Sequence, residues 1–413
     1  MSPLDEEYRR AIDELEKYIR PQIEENSRQL DRALTGFSLP IRINEHDEYD
    51  ERLSFELERY LQSIKNTPAL MRVPGFLDAV QEIVKKILFA LKAERRGDTG
   101  DALKSIKSIL VKYMEDDFFV SDLDSSYAFR GSAPFDNFKY PNYDYTTQLK
   151  YPLSFFRCRR NMQIMSRKEM LHVPLTKRSL ISSNRFSLPG IPCLYIASTT
   201  YCCWKELEEP SDMSIVALRV NECGKKLKIL NLVITQNLIN GVDCNPFQPM
   251  SELALKMRLF FPLVIATSVS TINRDKCGYN PEYTISHLIM RCLKELNIDG
   301  VAYLSTRIDY EFQYPHGVNV AIPIFSESTQ QEYGEICCYF EITDPLFFES
   351  VKDKAITETL RTKSYINAAF ADGVTSTIKY GGKCIPYSAT TFSNIDNLMV
   401  GKSFYPAVEY RGI

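Results

Sequence analysis

The chain has 413 residues, 44% of them hydrophobic and 25% charged, with a formal net charge of -3. This is a globular profile, too long for one ordinary core. It lacks the strongly basic balance of a nucleic-acid-binding protein, and clusters such as Arg157-Cys158-Arg159-Arg160 are too short to track a nucleic-acid backbone.

The start, Met1-Ser2-Pro3-Leu4-Asp5-Glu6-Glu7, is acidic and has no apolar core, unlike a signal peptide. Helical spacing follows at Tyr8, Ile12, Leu15 and Ile19, up to Pro21. A second helix is predicted at Leu53, Leu57, Leu61 and Ile64, and Pro74-Gly75 then breaks the pattern. A third runs through Leu77, Val80, Val84, Ile87, Leu88 and Leu91, and a fourth through Leu103, Ile106, Leu110 and Met114. Between these two, Gly97-Asp98-Thr99-Gly100 reads as a turn that can supply an N-cap. The expectation is a helical bundle over residues 1–120.

Residues 121–150 read as a linker with docking tyrosines at Tyr140, Tyr143 and Tyr145. After Tyr151 the pattern changes to short runs of strand length. These are Leu153–Cys158, Pro192–Ala197, Ser214–Val220, Leu227–Val233, Pro262–Ser268, Gly300–Leu304, Asn319–Phe325 and Ile336–Ile342. Helices are expected at Thr200–Glu208, Pro249–Phe260 and Thr284–Leu296. The apolar run Leu259–Val269 contains Pro262, is about half a membrane span and reads as a buried strand. The fold class expected is α+β: N-terminal helices, then a mixed or antiparallel sheet over 151–344, with residues 345–413 packed on it and a helix candidate at Ser350–Thr362.

There are 11 cysteines, an odd number with no Cys-x-x-Cys. The expectation is reduced thiols and a cytoplasmic location. No Cys or His pair has ligand spacing, so no metal is expected. Of the four histidines, His172 and His287 read as structural, and His316 lies in a loop near Asn319.

Three segments carry chemistry when taken together: Phe155-Phe156-Arg157-Cys158-Arg159, the block from Asn184 to Glu206, and Asp299-Gly300-Val301-Ala302-Tyr303-Leu304-Ser305 followed by Asn319. The middle block holds Arg185, then Gly190-Ile191-Pro192-Cys193-Leu194-Tyr195, then Ser198-Thr199-Thr200, then Glu206. In these residues the chain resembles the RES domain family, over roughly Phe155 to Pro323. The resemblance implies an ADP-ribosyltransferase-like fold with NAD+ as substrate. It also implies a toxin or defence effector that acts as an NAD+ glycohydrolase or phosphorylase, or as a protein ADP-ribosyltransferase, with a small antitoxin as partner in many members.

The residue types fit such chemistry. Loss of nicotinamide leaves an oxocarbenium-like ribose, which a carboxylate, Glu206, can stabilise. Arg157 and Arg185 can fork onto a pyrophosphate. Tyr195 offers an aromatic face to the cationic nicotinamide ring. Ser305, Ser198 and Asn319 can bind ribose or phosphate oxygens, and the Ser198-Thr199-Thr200 turn offers backbone N–H groups to a phosphate. The acceptor stays open between water, phosphate and protein, and a nucleotide-binding module without turnover is the rival from another class. Neither a membrane nor a nucleic-acid partner is expected; a regulatory protein or a second copy of the chain is possible.

Overall fold

The computed structural model describes residues 39–44, 48–114, 116–130, 153–234, 252–272, 280–308, 316–328, 331–351, 377–380 and 382–408. The expected helix at Tyr8–Ile19, the tyrosines of the 121–150 segment and most of the Ser350–Thr362 candidate lie outside these residues.

Three long helices dominate the first part of the described chain: α1 (Tyr49–Lys65), α2 (Phe76–Arg95) and α3 (Thr99–Tyr113). Each buries one stripe at helical spacing, as in α2 with Val80, Ile83, Val84, Ile87, Ala90 and Leu91. Gly75, at φ 71°, takes the left-handed conformation that starts α2. Later in the chain come α4 (Thr200–Glu206), α5 (Glu252–Thr267), α6 (Thr284–Cys292) and α7 (Thr391–Val400).

The run expected as a strand at Pro262–Ser268 is helical and belongs to α5. From Phe260 to Thr267 every residue of this helix is buried. A helix buried on all sides shows no amphipathic period, which is why its pattern mimics a buried strand. Pro262 removes the N–H that would bond the Arg258 carbonyl. The Tyr60 hydroxyl of α1 donates to that carbonyl at 2.5 Å instead. Tyr113 of α3 donates to Phe260 O at 3.1 Å, and Tyr49 of α1 to Ala266 O at 3.1 Å. The N-terminal helices thus satisfy backbone groups of a helix some two hundred residues later.

The main sheet is mixed and mostly antiparallel. Its strands are β2 (Val120–Asp122), β3 (Ser154–Arg160), β4 (Cys193–Ala197), β5 (Met213–Val220), β6 (Lys228–Asn231), β8 (Gly300–Leu304), β9 (Val318–Pro323), β10 (Phe340–Ile342), β11 (Leu346–Phe347) and β14 (Tyr405–Pro406). The order is β14-β10-β5-β3-β4-β9-β8-β6-β2, with β11 also on β5, and only β6–β8 pairs in parallel. Strand β1 (Ile41–Ile43) pairs in parallel with β7 (Val269–Thr271), and β12 (Thr377–Tyr380) pairs with β13 (Lys383–Pro386). The run Ile336–Ile342 is a strand only from Phe340; Glu335–Tyr339 form a 3-10 turn. An α+β architecture of helices followed by a mixed sheet is what the sequence pattern leads one to expect.

Alternation along the strands assigns side chains to two faces. Leu194, Ile196, Val216, Leu218, Ala302, Leu304, Val318, Val320 and Ile322 share one apolar cluster. On the other face, Cys193, Val301, Tyr303 and Ala321 join a cluster with α1, α2, α3, α5 and α6. Phe156, Cys158, Ala197, Ile215 and Ala217 join a further cluster with α4 and α7. Residues before and after position 120 share one core, and β2, at the start of the expected linker, pairs with β6.

Candidate active site

Glu206, Asn319, Tyr195 and Tyr303 meet on the face of the sheet that carries two helical layers, the α1–α3, α5, α6 layer and the α4, α7 layer. Register sets the arrangement: Ala197 lies opposite Asn319 and Tyr303 opposite Asn319, so the three form one row across β4, β9 and β8. In the next row Tyr195 and Val301 flank Ala321. Two of the motif glycines have clear reasons. Gly190 has φ 77° in the turn before β4. A Cβ on Gly300 would come within 2.9 Å of Ala321 O, so only glycine lets β8 lie this close to β9.

Glu206 ends α4 and is exposed, with Asn319 Nδ2 donating to its Oε1 at 2.8 Å. The buried Asn319 is held from its other side, where Cys202 Sγ donates to Oδ1 at 3.3 Å. Cys202 is four residues before Glu206 and so shares its helix face. Burial and then the Glu206 carboxylate push the Cys202 thiol well above its usual range. Burial, then Tyr195, then Glu206 do the same to Tyr303. Tyr195 is raised by burial first, with Cys193 and Glu206 among the further causes. The Tyr195 hydroxyl is shielded from solvent while the residue as a whole is half-buried. Glu206, Asn319, Cys202, Tyr195 and Tyr303 are thus electrostatic neighbours. Ser305 is fully buried; its Oγ accepts from the Arg307 N–H at 3.1 Å, and Ser305 also influences Cys202.

The chain leaves α4 through Glu208 and Glu209, at φ 63° and 62°. Two consecutive non-glycine residues in the left-handed region are strained, next to the proposed catalytic carboxylate. Glu209 N–H closes onto Trp204 O at 2.9 Å, Lys205 pairs with Glu209, and Arg307 pairs with Glu208 at 3.2 Å.

Arg185 stands at the C-terminal end of α5. Its guanidinium donates to Thr267 O at 2.8 Å and to Thr306 Oγ1 at 3.1 Å, and lies 5.1 Å from the centre of the Tyr283 ring. A cation suits the carbonyl end of a helix, and Thr306 places it one residue beyond Ser305.

Two expected phosphate contacts are otherwise engaged. Arg157 is buried, and its guanidinium donates to Tyr195 O at 2.6 Å and Leu171 O at 3.3 Å. Burial, then repulsion from Arg159, hold it down to about 10. Alternation groups Arg157 with Phe155, opposite the face of Phe156 and α4. It bridges β3 to β4 where only Phe156 and Ala197 pair. The Ser198-Thr199-Thr200 turn is filled by the chain itself. Ser198 N–H donates to Val318 O at 2.8 Å, and Ser198 Oγ accepts from Val318 N–H at 3.3 Å. Thr199 Oγ1 caps Cys202 N–H, and Thr200 N–H donates to the Asp396 carboxylate at 3.0 Å.

His172 and His287 hold hydrogen-bond partners of the kind a structural role needs. His172 Nε2 accepts from Gly334 N–H at 3.1 Å, and His287 Nε2 lies 2.9 Å from Asn184 O. His316 stacks on Tyr387 at 3.9 Å. Sequence reasoning missed Cys202, Tyr303, Thr306 and Asp396. The first two were accessible in principle, from the four-residue helix spacing to Glu206 and the two-residue strand spacing to Ser305.

No family profile and no solved structure matches the chain. It is 27% identical over 226 residues to a curated protein of Bacillus subtilis (strain 168) named "Putative toxin YopC", a match covering 52% of this chain and 51% of that protein. The chain thus aligns with about half the length of this relative.

Proposed function

We propose that this chain is a toxin-type enzyme that breaks the nicotinamide–ribose bond of NAD+, with water or phosphate as the acceptor. The observation that carries the reading is an exposed carboxylate, Glu206, fixed by the buried amide of Asn319 beside Tyr195 and Tyr303. The resemblance of the Arg185-to-Glu206 block to RES domains supports it, as does similarity to a protein named as a toxin.

In this mechanism Glu206 faces the ribose. As the C–N bond to nicotinamide breaks, its electron pair leaves with the ring, which becomes neutral. The positive charge moves onto the ribose, where the carboxylate stabilises it. Water then adds to the ribose carbon and gives up its proton through Glu206 to solvent, leaving ADP-ribose and free nicotinamide. The partly exposed Tyr195 ring offers a face to the cationic nicotinamide before cleavage. Arg185, whose guanidinium donates to Thr306 Oγ1 next to Ser305, binds the pyrophosphate by exchanging that contact. Arg157 and Ser198 act on the scaffold, not on substrate. Such a toxin would be restrained by a protein partner or by its own assembly.

The test is incubation of the full chain with NAD+, with and without phosphate, following free nicotinamide and the ribose product. Release should fall by about a hundredfold or more in Glu206→Gln, the scale of losing a charge-stabilising group. An ADP-ribose adduct on protein would shift the reading to an ADP-ribosyltransferase. Tight NAD+ binding without release at any condition would leave a nucleotide-binding module and reject the enzyme.

A further inference from the structure

The segment after residue 377 reaches the proposed catalytic helix directly. Asp396 of α7 is buried, and its Oδ1 accepts from Thr200 N–H at 3.0 Å and from Thr200 Oγ1 at 2.6 Å. Its Oδ2 accepts from the Tyr387 hydroxyl at 2.5 Å. Thr200 is the first residue of α4, and Glu206 is the last. The contact continues along the helix. Phe392 of α7 lies 5.5 Å from Tyr201 and 5.0 Å from Trp204, ring centre to ring centre, and the Tyr201 hydroxyl donates to Lys379 O in β12. One face of α4 therefore carries Glu206 toward Asn319, while its first turn and its aromatic side are held by the C-terminal segment.

We propose that Asp396 is a positioning residue for Glu206: it fixes α4 from its first turn, so that the C-terminal segment, outside the motif-bearing region, sets the placement of the catalytic carboxylate. This rests on the assignment of Glu206 under the proposed function.

A buried carboxylate at this place is tunable. Burial pushes Asp396 up to about 7, against the opposing hydrogen bonds from Thr200 and Tyr387. The groups facing it are Thr200 from α4, Cys158 from β3 and Tyr387 from the preceding turn, with His316 stacked on Tyr387. Burial favours the neutral form and the donated bonds that seat α4 favour the ionised one, so the seat changes as pH passes about 7. Asparagine mimics the neutral acid: its oxygen accepts from Thr200 and its amide donates to the Tyr387 oxygen.

The protein supplies its own probe, because Trp204 on α4 is its single tryptophan. Trp204 emission of the full chain would be recorded from pH 5.5 to 8.5, alongside kcat and KM for nicotinamide release. For wild type the expected result is an emission titration centred near pH 7 with kcat changing over the same range. Asp396→Asn should lose the titration and keep kcat within about threefold. Asp396→Ala should shift Trp204 emission at every pH and lower kcat by about tenfold or more with KM nearly unchanged, a loss confined to the transition state. Where Asp396→Ala does not fold, Tyr387→Phe serves. It removes one bond that favours the charged form and should move the emission midpoint upward. A folded Asp396→Ala, or a Tyr387→Phe, with wild-type emission profile and wild-type kcat would overturn the proposal. If no variant or wild type releases nicotinamide, the proposed function fails and emission alone decides whether Asp396 holds α4.

Discussion

At the scale of single residues, the distinction that matters is between polar groups that face a substrate and those that hold the scaffold. Asn319 belongs to the second kind. It lies on the central strand β9, buried, with its amide nitrogen on Glu206 and its oxygen taking the Cys202 thiol. Substituting alanine removes the donor that Asn319 places on Oε1 and leaves the carboxylate to solvent. Asn319→Ala should therefore lower kcat by about ten- to a hundredfold, as expected for loss of a carboxylate's orienting partner, while Asn319→Asp, which sets two carboxyl groups together, should raise the pH needed for activity. Steady-state kinetics across pH checks both; unchanged kcat in the alanine variant would place Glu206 control elsewhere. The sequence pointed to Asn319, Tyr195 and Glu206 because they sit in recognisable segments whose spacing alternation converts to one face, but it did not single out Tyr303. It could not reveal that Arg157, two residues from Arg159 and equally basic, has its guanidinium taken by the carbonyls of Tyr195 and Leu171. Residue type does not show which acceptor a side chain finds.

At the scale of elements, α5 explains both a wrong expectation and a structural dependence. Its burial on all sides erased the helical period, and Pro262 argued further against a helix. What permits the helix is the Tyr60 hydroxyl, which replaces the N–H that Pro262 lacks. Tyr60 is buried, and burial pushes its hydroxyl well above its usual range, so it stays a donor at all ordinary pH. Tyr60→Phe keeps the ring and leaves the Arg258 carbonyl unsatisfied in an apolar setting. That should cost about 1–3 kcal/mol of stability, read as a lower urea midpoint at unchanged m-value. The amphipathic helices α1, α2 and α3 were legible for the opposite reason: each exposes one face, and the apolar stripe survives in the sequence. Short strands such as β2 and β7, three residues each, carry no usable period.

At the scale of the molecule, the pattern suggested a helical bundle followed by a separate sheet domain, because composition changes near residue 120. The described residues share one core across that point. Val80, Ile87, Ile106 and Leu110 join a single cluster with Phe261, Leu263, Leu288, Val301 and Ala321. Tyr49, Tyr60 and Tyr113 hydrogen-bond to carbonyls of α5, and α5 ends at Arg185 beside Thr306. This changes the expected outcome of truncation. If residues 1–120 were a regulatory domain docked on a self-sufficient enzyme, their deletion would leave a soluble protein with altered activity. The shared core predicts instead that deletion strips α5 and α6 of their apolar cover, exposes a large contiguous patch and leaves the Tyr-bonded carbonyls of α5 without partners. Residues 121–413 alone should be insoluble or molten, losing the cooperative thermal transition of the full chain and, with it, nicotinamide release. A soluble fragment that melts cooperatively and retains activity would show that the sheet half is independently stable, and would return the N-terminal helices to the role of an added regulator.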